Sequence, residues 1–357
     1  MKPCTLLAIE SSCDETGVSV VRKEGDGITV LSELVTSQAS IHEVTGGVIP
    51  EVAAREHLNV IGPMITSALH QAECTKDDID AIAVTVGPGL MPALVVGVQA
   101  ARTLAFAWDK PLVPVHHIEG HIYSALLAAN TPTPSSSPSG RGRELFPALA
   151  LIVSGGHTML IEIPSHLTYK ILGETLDDAI GEVFDKVARM LGLPYPGGVH
   201  VSRLAAEGNA KAFNFPRPML HSKDCNFSYS GLKTAVLYQV QELGEEMTEN
   251  QKADIAASFQ AAVVDSLAKK LVQATEGREY KAILLAGGVA ANQALQSRIQ
   301  KEADTLQIPL LLAPATLCGD NATMIGQAGI FAYEAGRIKS WREVDAIARV
   351  SIENFSL

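Results

Sequence analysis

Six segments of this chain follow one grammar: an apolar run that stops at a small loop carrying glycine or charge. The loops read SCDET, GPG, HHIEGH, SGGHT, AGGVAAN and CGDNAT. The runs before them, such as TLLAIE, IDAIAVTV and KAILLA, are too continuous for half-exposed strands and too short for free-standing helices. They read as strands buried on both faces, and such strands require helices to cover them. An α/β architecture follows. In such folds ligands gather at the carboxyl ends of the strands, so the six loops are the candidate site. Their convergence predicts one cleft between two lobes.

Along the chain, TLLAIESS (5–12) and VSVV (18–21) read as strands, with KEGDG as a hairpin signal before ITVLSELV. Residues 52–73 read as a helix kinked at Pro63, and a second helix spans about 92–108. IDAIAVTVGPG (79–89) and PLVPVHH are further strands. NTPTPSSSPSGRGR (130–143) is a linker by composition. After it the pattern restarts. PALALIVSGGHTMLIEI (147–163) has the form of TLLAIESSCDETGVSVV, two strands around a polar turn, which suggests a duplicated core. The expected boundaries are an N-terminal lobe over 1–129, a linker over 130–146, a C-terminal lobe over 147–337 and a tail over 338–357 docked on the surface. A helical insertion is expected at about 165–277 of the second lobe.

Composition excludes several classes. With 47% hydrophobic and 19% charged residues, the chain is an ordered globular protein. MKPCTLLAIESSCDE lacks the apolar region of a signal peptide, and LMPALVVGVQAARTLAFAW is interrupted by Gln99 and Arg102, so no membrane span is expected. The cysteines (Cys4, Cys13, Cys74, Cys225, Cys318) form no CxxC pair, which favours reduced thiols in a cytosol-like compartment. The net charge of −11 argues against a strong general affinity for nucleic acid but leaves room for a local basic patch or a basic partner.

The stretch VHHIEGHIYSALL (115–127) holds three histidines and a glutamate within six positions. On a helix His117 and His121 share a face, four apart, and can reach one metal ion; His116 points elsewhere. Neither HExxH nor HxxEH is present, so the glutamate of a zinc protease is missing. A third ligand is needed. Asp320 in CGDNAT is the natural candidate, with Asp14, Glu15 and Asp185 competing on residue type alone. VSGGHT reads either as a hairpin turn or as a phosphate cradle of backbone N–H groups. AGGVAAN joins a strand to a helix, but neither GxGxxG nor GxxxxGK[ST] occurs. DDAIGEVFDKVARMLGL (177–193) reads as an amphipathic helix with Asp185 and Lys186 as a solvated pair, and YPGG (195–198) as a turn.

Taken in order, IESSCDETG, AAREHL, GPGL, HHIEGH, VSGGHT, GEVFDKVARMLGLPYPGG, FSYSGLKTA, LAGGVAANQAL and CGDNATMIG resemble the TsaD family of bacterial-type tRNA N6-adenosine threonylcarbamoyltransferases, formerly called O-sialoglycoprotein endopeptidases. The resemblance spans roughly residues 5–337. It implies an actin-like ATPase (ASKHA) fold, with two lobes on ribonuclease-H-like sheets. It also implies transfer of threonylcarbamoyl from threonylcarbamoyl-AMP to the N6 amine of the adenosine beside the anticodon. By motif match, His117, His121 and Asp320 would hold one divalent metal, iron or else zinc. Ile152, Val153, Ser154, Gly155 and Gly156 would lie along the substrate, and Asp185, Gly198 and Asn292 would hold its nucleotide part. Glu15 matches an acidic position near the reaction centre, where it would orient the amine or accept its proton.

The implied partners are tRNA, a TsaB-like paralogue and a TsaE-like ATPase, with a homodimer where the paralogue is absent, in the cytoplasm and away from membranes. Three departures stand out: Ser11 where many members have threonine, Ser202 where some carry an acid, and a longer 130–143 linker with Arg141 and Arg143. Arg217, Lys223, Lys233, Lys269 and Lys270 are further basic residues that could meet tRNA, although most read as solvated helix-face charges. The competing readings are an ATP-dependent kinase or ATPase of the same fold, a metalloprotease, and a nucleotide-binding scaffold.

Overall fold

A computed structural model describes residues 3–128 and 145–355. The linker 130–143, with Arg141 and Arg143, lies outside the described residues. The chain divides into two compact units. Unit 1 comprises 1–142, 166–168 and 314–357; unit 2 comprises 143–165 and 169–313.

Unit 1 is built on strands β1 (Cys4–Glu10), β2 (Glu15–Glu24), β3 (Gly27–Ser37), β4 (Ala81–Gly87) and β5 (Leu112–His116), in the order β3-β2-β1-β4-β5. β1 runs antiparallel to β2, with Ala8 opposite Ser19, and parallel to β4, with Ala8 opposite Ala83. β1 and β4 are buried at every position, as strands covered on both faces must be. The short α1 (Ala39–Glu43) follows β3. α2 (Pro50–Gln71) and α3 (Met91–Trp108) pack together and cover the sheet. Pro63 lies inside α2 without ending it. α3 begins with a proline in its first turn and ends at Asp109 in the left-handed conformation, φ 54°. It is the one described helix long and apolar enough to cross a membrane; here it packs on β4 and α2. α4 (His117–Ala128) leaves β5 without a loop.

Unit 2 repeats the plan. Its strands are β6 (Ala148–Val153), β7 (Thr158–Ser165), β8 (Thr168–Glu174), β9 (Ala282–Ala286) and β10 (Leu310–Leu312), in the order β10-β9-β6-β7-β8. β6 is antiparallel to β7 and parallel to β9, which is parallel to β10. Read from the central strand outward, the two sheets have one topology, so the duplicated core extends well beyond the paired hairpins. Helices α5 (Ile180–Met190), α6 (Gly197–Ala205), α7 (Ser230–Leu243) and α8 (Glu249–Thr275) lie between β8 and β9, and α9 (Gln293–Leu306) follows β9. The helical stretch therefore begins after β8, later than position 165, because TYKILGE is the third strand of the sheet.

The C-terminal boundary also differs from expectation. The segment from Pro314 belongs to unit 1. α10 (Ala322–Glu334) is buried along most of its length and packs on β1, β2, β4 and β5. Its Gly326 and Gly329 permit the approach: an added Cβ would lie 2.7 Å from a side-chain carbon of Val21 and of Ala83, respectively. The tail is more than a surface strap. Val344 and Phe355 enter the unit 1 core, and the Ile347 N–H donates to the Val86 carbonyl at 2.7 Å.

Candidate metal centre and the neighbouring loops

The β5–α4 junction sorts the three histidines. His116 is fully buried at the end of β5. Its Nε2–H donates to the Val350 carbonyl at 3.1 Å and its Nδ1 accepts from the Ile118 N–H at 3.2 Å. Both nitrogens are thus committed to the neutral ring, and burial pushes its pKa down to about 4. His117 and His121 lie one turn apart in the first part of α4. Their Nε2 atoms lie 3.5 and 3.3 Å from Oδ1 of Asp320, and one ligand atom from each of the three residues falls within 4.8 Å of the others.

Two ligands bound about 2.1 Å from one ion at tetrahedral or octahedral angles are about 3.0–3.4 Å apart, so both histidine–aspartate separations lie at or close to those of a metal's ligands. The chemistry of its surroundings agrees. Both ring nitrogens of His121 are buried without a hydrogen-bond partner, an arrangement a ligated cation would relieve. Burial alone would lower the pKa of His117, but the carboxylates of Asp320 and Glu10 outweigh it and raise it to about 9. The position favours positive charge, as proton or as metal.

Asp320 arrives from the other end of unit 1. It sits in the loop before α10, where Asn321 caps the helix by accepting from the Met324 N–H at 2.8 Å and donates to the Gly319 carbonyl at 2.8 Å. Asp14 and Glu15 lie in the β1–β2 loop region and belong to the same unit. Glu15 is half-buried, and its Oε1 accepts from Ser37 Oγ at 3.3 Å. Burial first, then the charges of Asp14 and Asp320, hold its pKa well above the usual carboxylate range. Of the competitors for the third ligand, Asp185 lies in unit 2 and is otherwise engaged.

Four residues not singled out from the sequence organise this site. Glu10 ends β1 with no exposure, and Thr85 Oγ1 donates to its Oε2 at 2.5 Å. Ser12 joins them through its backbone and its hydroxyl. His57 of AAREHL is buried and neutral, its pKa lowered by burial. Its Nε2–H donates to the Cys13 carbonyl at 3.0 Å and its Nδ1 accepts from Thr16 Oγ1 at 2.7 Å, which pins the SCDET loop from α2. The signal was present: a carboxylate at the end of the apolar run LLAI, and a histidine on the buried face of an amphipathic helix. Glu119, the glutamate of HHIEGH, pairs with Arg337 at 2.9 Å.

In unit 2 the VSGGHT turn closes on itself. The Ser154 N–H donates to the His157 carbonyl at 2.8 Å and the His157 N–H to Ser154 Oγ at 3.2 Å, leaving Gly155 and Gly156 exposed. Ile152 and Val153 are fully buried in β6, so only their backbone could serve a ligand. Gly287 of AGGVAAN has φ +97°, and an added Cβ would lie 2.3 Å from the Val153 carbonyl oxygen. Asn292 caps α9 by accepting from the Leu295 N–H at 2.9 Å, and its Nδ2 donates to Ser202 Oγ at 2.8 Å and Gln260 Oε1 at 2.7 Å. Ser202 in turn donates to the Gly198 carbonyl at 2.7 Å, and Asp185 accepts from the Gly197 N–H at 2.7 Å. Gly198 and Asn292 are therefore linked through Ser202, while Asp185 holds the neighbouring Gly197 of the same turn.

Two expectations are corrected. Lys186 pairs with Glu182 at 2.7 Å and Asp178 at 3.0 Å instead of Asp185, because helical spacing puts residue 182 beside it. Lys270 is buried; its Nζ is held by the Ser222 hydroxyl and the Asp224 carbonyl, so it is no solvated charge. Arg217 and Lys233 are paired with Asp265 and Asp178, whereas Lys223 and Lys269 line a shallow hollow with His221 and Gln273.

The family model described as "TsaD: tRNA N6-adenosine threonylcarbamoyltransferase" matches residues 29–327. A curated protein of that name from Staphylococcus carnosus is 45% identical over 356 residues, covering 100% of this chain and 98% of its own. Another, from Moorella thermoacetica, is 47% identical over 331 residues, covering 92% of each chain. Among solved structures, HypF of T. kodakarensis superposes with a TM-score of 0.60 at 14% identity, over 93% of this chain and 48% of that one. A full-length HypF in a phosphate- and nucleotide-bound form gives 0.58 at 13% identity, over 93% of this chain and 46% of that one. These likenesses bear on the fold alone, which is the actin-like ATPase fold.

Proposed function

The chain belongs to the TsaD family of tRNA N6-adenosine threonylcarbamoyltransferases, and we propose that it carries out that transfer with a divalent ion held by His117, His121 and Asp320. Two histidines and one carboxylate would favour iron(II), with zinc as the alternative. The observation that carries this reading is the buried Nε2 of His121, which has no hydrogen bond and faces the Asp320 carboxylate at 3.3 Å. When bound, the ion supplies a Lewis acid and a positive template for an anionic donor.

The donor is threonylcarbamoyl-AMP, a mixed anhydride whose AMP already leaves well. The adenine amine is a weak nucleophile, since its lone pair is delocalised into the ring. Positioning and charge stabilisation are then the work left to the protein. Backbone N–H groups of the exposed Gly155–Gly156 turn serve as donors to the carbamoyl oxygen or a phosphate. Asp185, Gly198 and Asn292 hold the nucleotide part, and Glu15 orients the attacking amine or accepts its proton. The resemblance supports these roles, and so does the placement of Glu15 in the same unit as the triad.

tRNA is the substrate, and the chain works in the cytoplasm with a TsaB-like paralogue and a TsaE-like ATPase, or as a homodimer without the paralogue. The acidic net charge of −11 supports a tRNA surface that partners help to build. The exposed apolar side chains of Ile41, Val44, Ile49 and Leu58, on or beside α1 and α2, support a protein partner at that segment.

The test is transfer of label from threonylcarbamoyl-AMP to unmodified tRNA, with partners present, before and after metal removal. Activity lost on chelation and restored by iron(II) supports the reading. Label transferred at full rate by metal-stripped protein would remove the metal. No label under any condition would favour the kinase or ATPase reading of the fold.

A further inference from the structure

We propose that Glu10 is the positioning residue of this centre: it accepts the Nδ1 proton of His117 and so reserves Nε2, which faces Asp320, for the metal. The proposal rests on the metal reading above and adds a residue to it. Glu10 has no solvent exposure and ends an otherwise apolar strand, a place where a carboxylate persists only with donors around it. It has them. The Ser12 N–H donates to Oε1 at 2.5 Å, and Thr85 Oγ1 donates to Oε2 at 2.5 Å. His117 Nδ1 stands 3.3 Å from Oε2. A bare Nδ1 lone pair there would oppose a carboxylate lone pair, so Nδ1 keeps its proton and Nε2 is the nitrogen that a metal would take in place of a proton.

Ser12 Oγ, 3.2 Å from the same Nδ1, is the rival acceptor. It is the weaker one, because a neutral hydroxyl attracts an N–H less than a carboxylate does. His121 has no such support, since neither of its ring nitrogens has a hydrogen-bond partner. The two ligands are thus unequal. His117 is oriented in advance by a carboxylate rooted in β1 and β4, whereas His121 faces only Asp320 and has no carboxylate behind it. A carboxylate behind a ligating histidine fixes its tautomer and raises its basicity, and its removal typically costs 10- to 100-fold in metal affinity.

The experiment uses the purified full chain, stripped of metal and titrated with zinc against a chromophoric chelator. Wild type is compared with Glu10→Gln, Ser12→Ala and His121→Ala. Zinc affinity should fall about 10- to 100-fold in Glu10→Gln and less than about threefold in Ser12→Ala. A second readout needs no variant: nitrogen-15 spectra of histidine in the zinc-loaded wild type should show His117 protonated at Nδ1 and ligated through Nε2. This readout decides the matter if Glu10→Gln does not fold. Wild-type affinity in Glu10→Gln, a larger loss in Ser12→Ala, or zinc on Nδ1 of His117 would each overturn the proposal. The failures are distinguishable. If His121→Ala binds zinc as wild type does, the metal reading fails and this proposal with it. If only Glu10→Gln is indifferent, the metal reading stands and this proposal alone falls.

Discussion

Units 1 and 2 share a strand order and differ in what they set at the strand ends. In unit 1 the strand ends and the start of α4 present ionisable side chains, His117, His121, Asp320, Asp14 and Glu15, beside buried Glu10, Ser12 and Thr85. In unit 2 they present glycine, hydroxyl and amide groups: the exposed Gly155 and Gly156, and the Asn292–Ser202–Gly198 network. One sheet supports concentrated charge and the other supports shaped backbone. A scaffold that occurs twice can therefore be specialised twice, because loop chemistry is nearly independent of the strands beneath.

The sharpest way to break this contrast is to remove a ligand. His121→Ala should reduce transfer by more than about 100-fold, beyond the usual effect of an outer-shell change, with the circular dichroism spectrum unchanged. Retained activity would make unit 1 a shaped surface like unit 2.

A second test uses acid. His116 is neutral in the fold with a pKa of about 4, against about 6.5 when unfolded. The unfolded chain binds the extra proton between those values, so this contribution is complete above pH 6.5 and lost as pH falls toward 4. The loss is roughly 3 kcal/mol. Urea midpoints should fall steeply through that window, and His116→Gln should flatten the slope.

The third test addresses unit 2. Gly287→Ala puts a Cβ against the Val153 carbonyl at positive φ, and should destabilise by about 2–3 kcal/mol in denaturant titration. Zinc affinity should not change if the units are specialised as described. The smallest effect is expected at Asn292. Asn292→Ala removes a helix cap and should lower stability by about 1 kcal/mol. If Asn292 also holds the nucleotide, KM for threonylcarbamoyl-AMP should rise more than kcat falls. Equal effects on both would leave it a cap.

Much of this was legible in the chain. Strands such as TLLAIE and KAILLA are read from continuous apolar runs, and the His117–His121 pair from helical spacing. Pairings across long sequence distances were not legible. Asp320 could be separated from Asp14, Glu15 and Asp185 only by the resemblance, because nothing local tells which carboxylate returns to α4. The assignment of 314–357 to unit 1 depends on α10 packing against β1 and β4, which no short window contains. Lys270 resembles any helix-face lysine until the loop holding Ser222 and Asp224 folds over it.

The return of α10 has a consequence for how the protein is made. A ribosome releases His117 and His121 early, then the whole of unit 2, and only afterwards Asp320 and the helix that covers the first sheet. Until then the first unit waits with an uncovered apolar face and two of its three ligands, while the second can fold on schedule. A chain cut short within α8 therefore cannot assemble this centre, and translation of the last segment is the step that completes it.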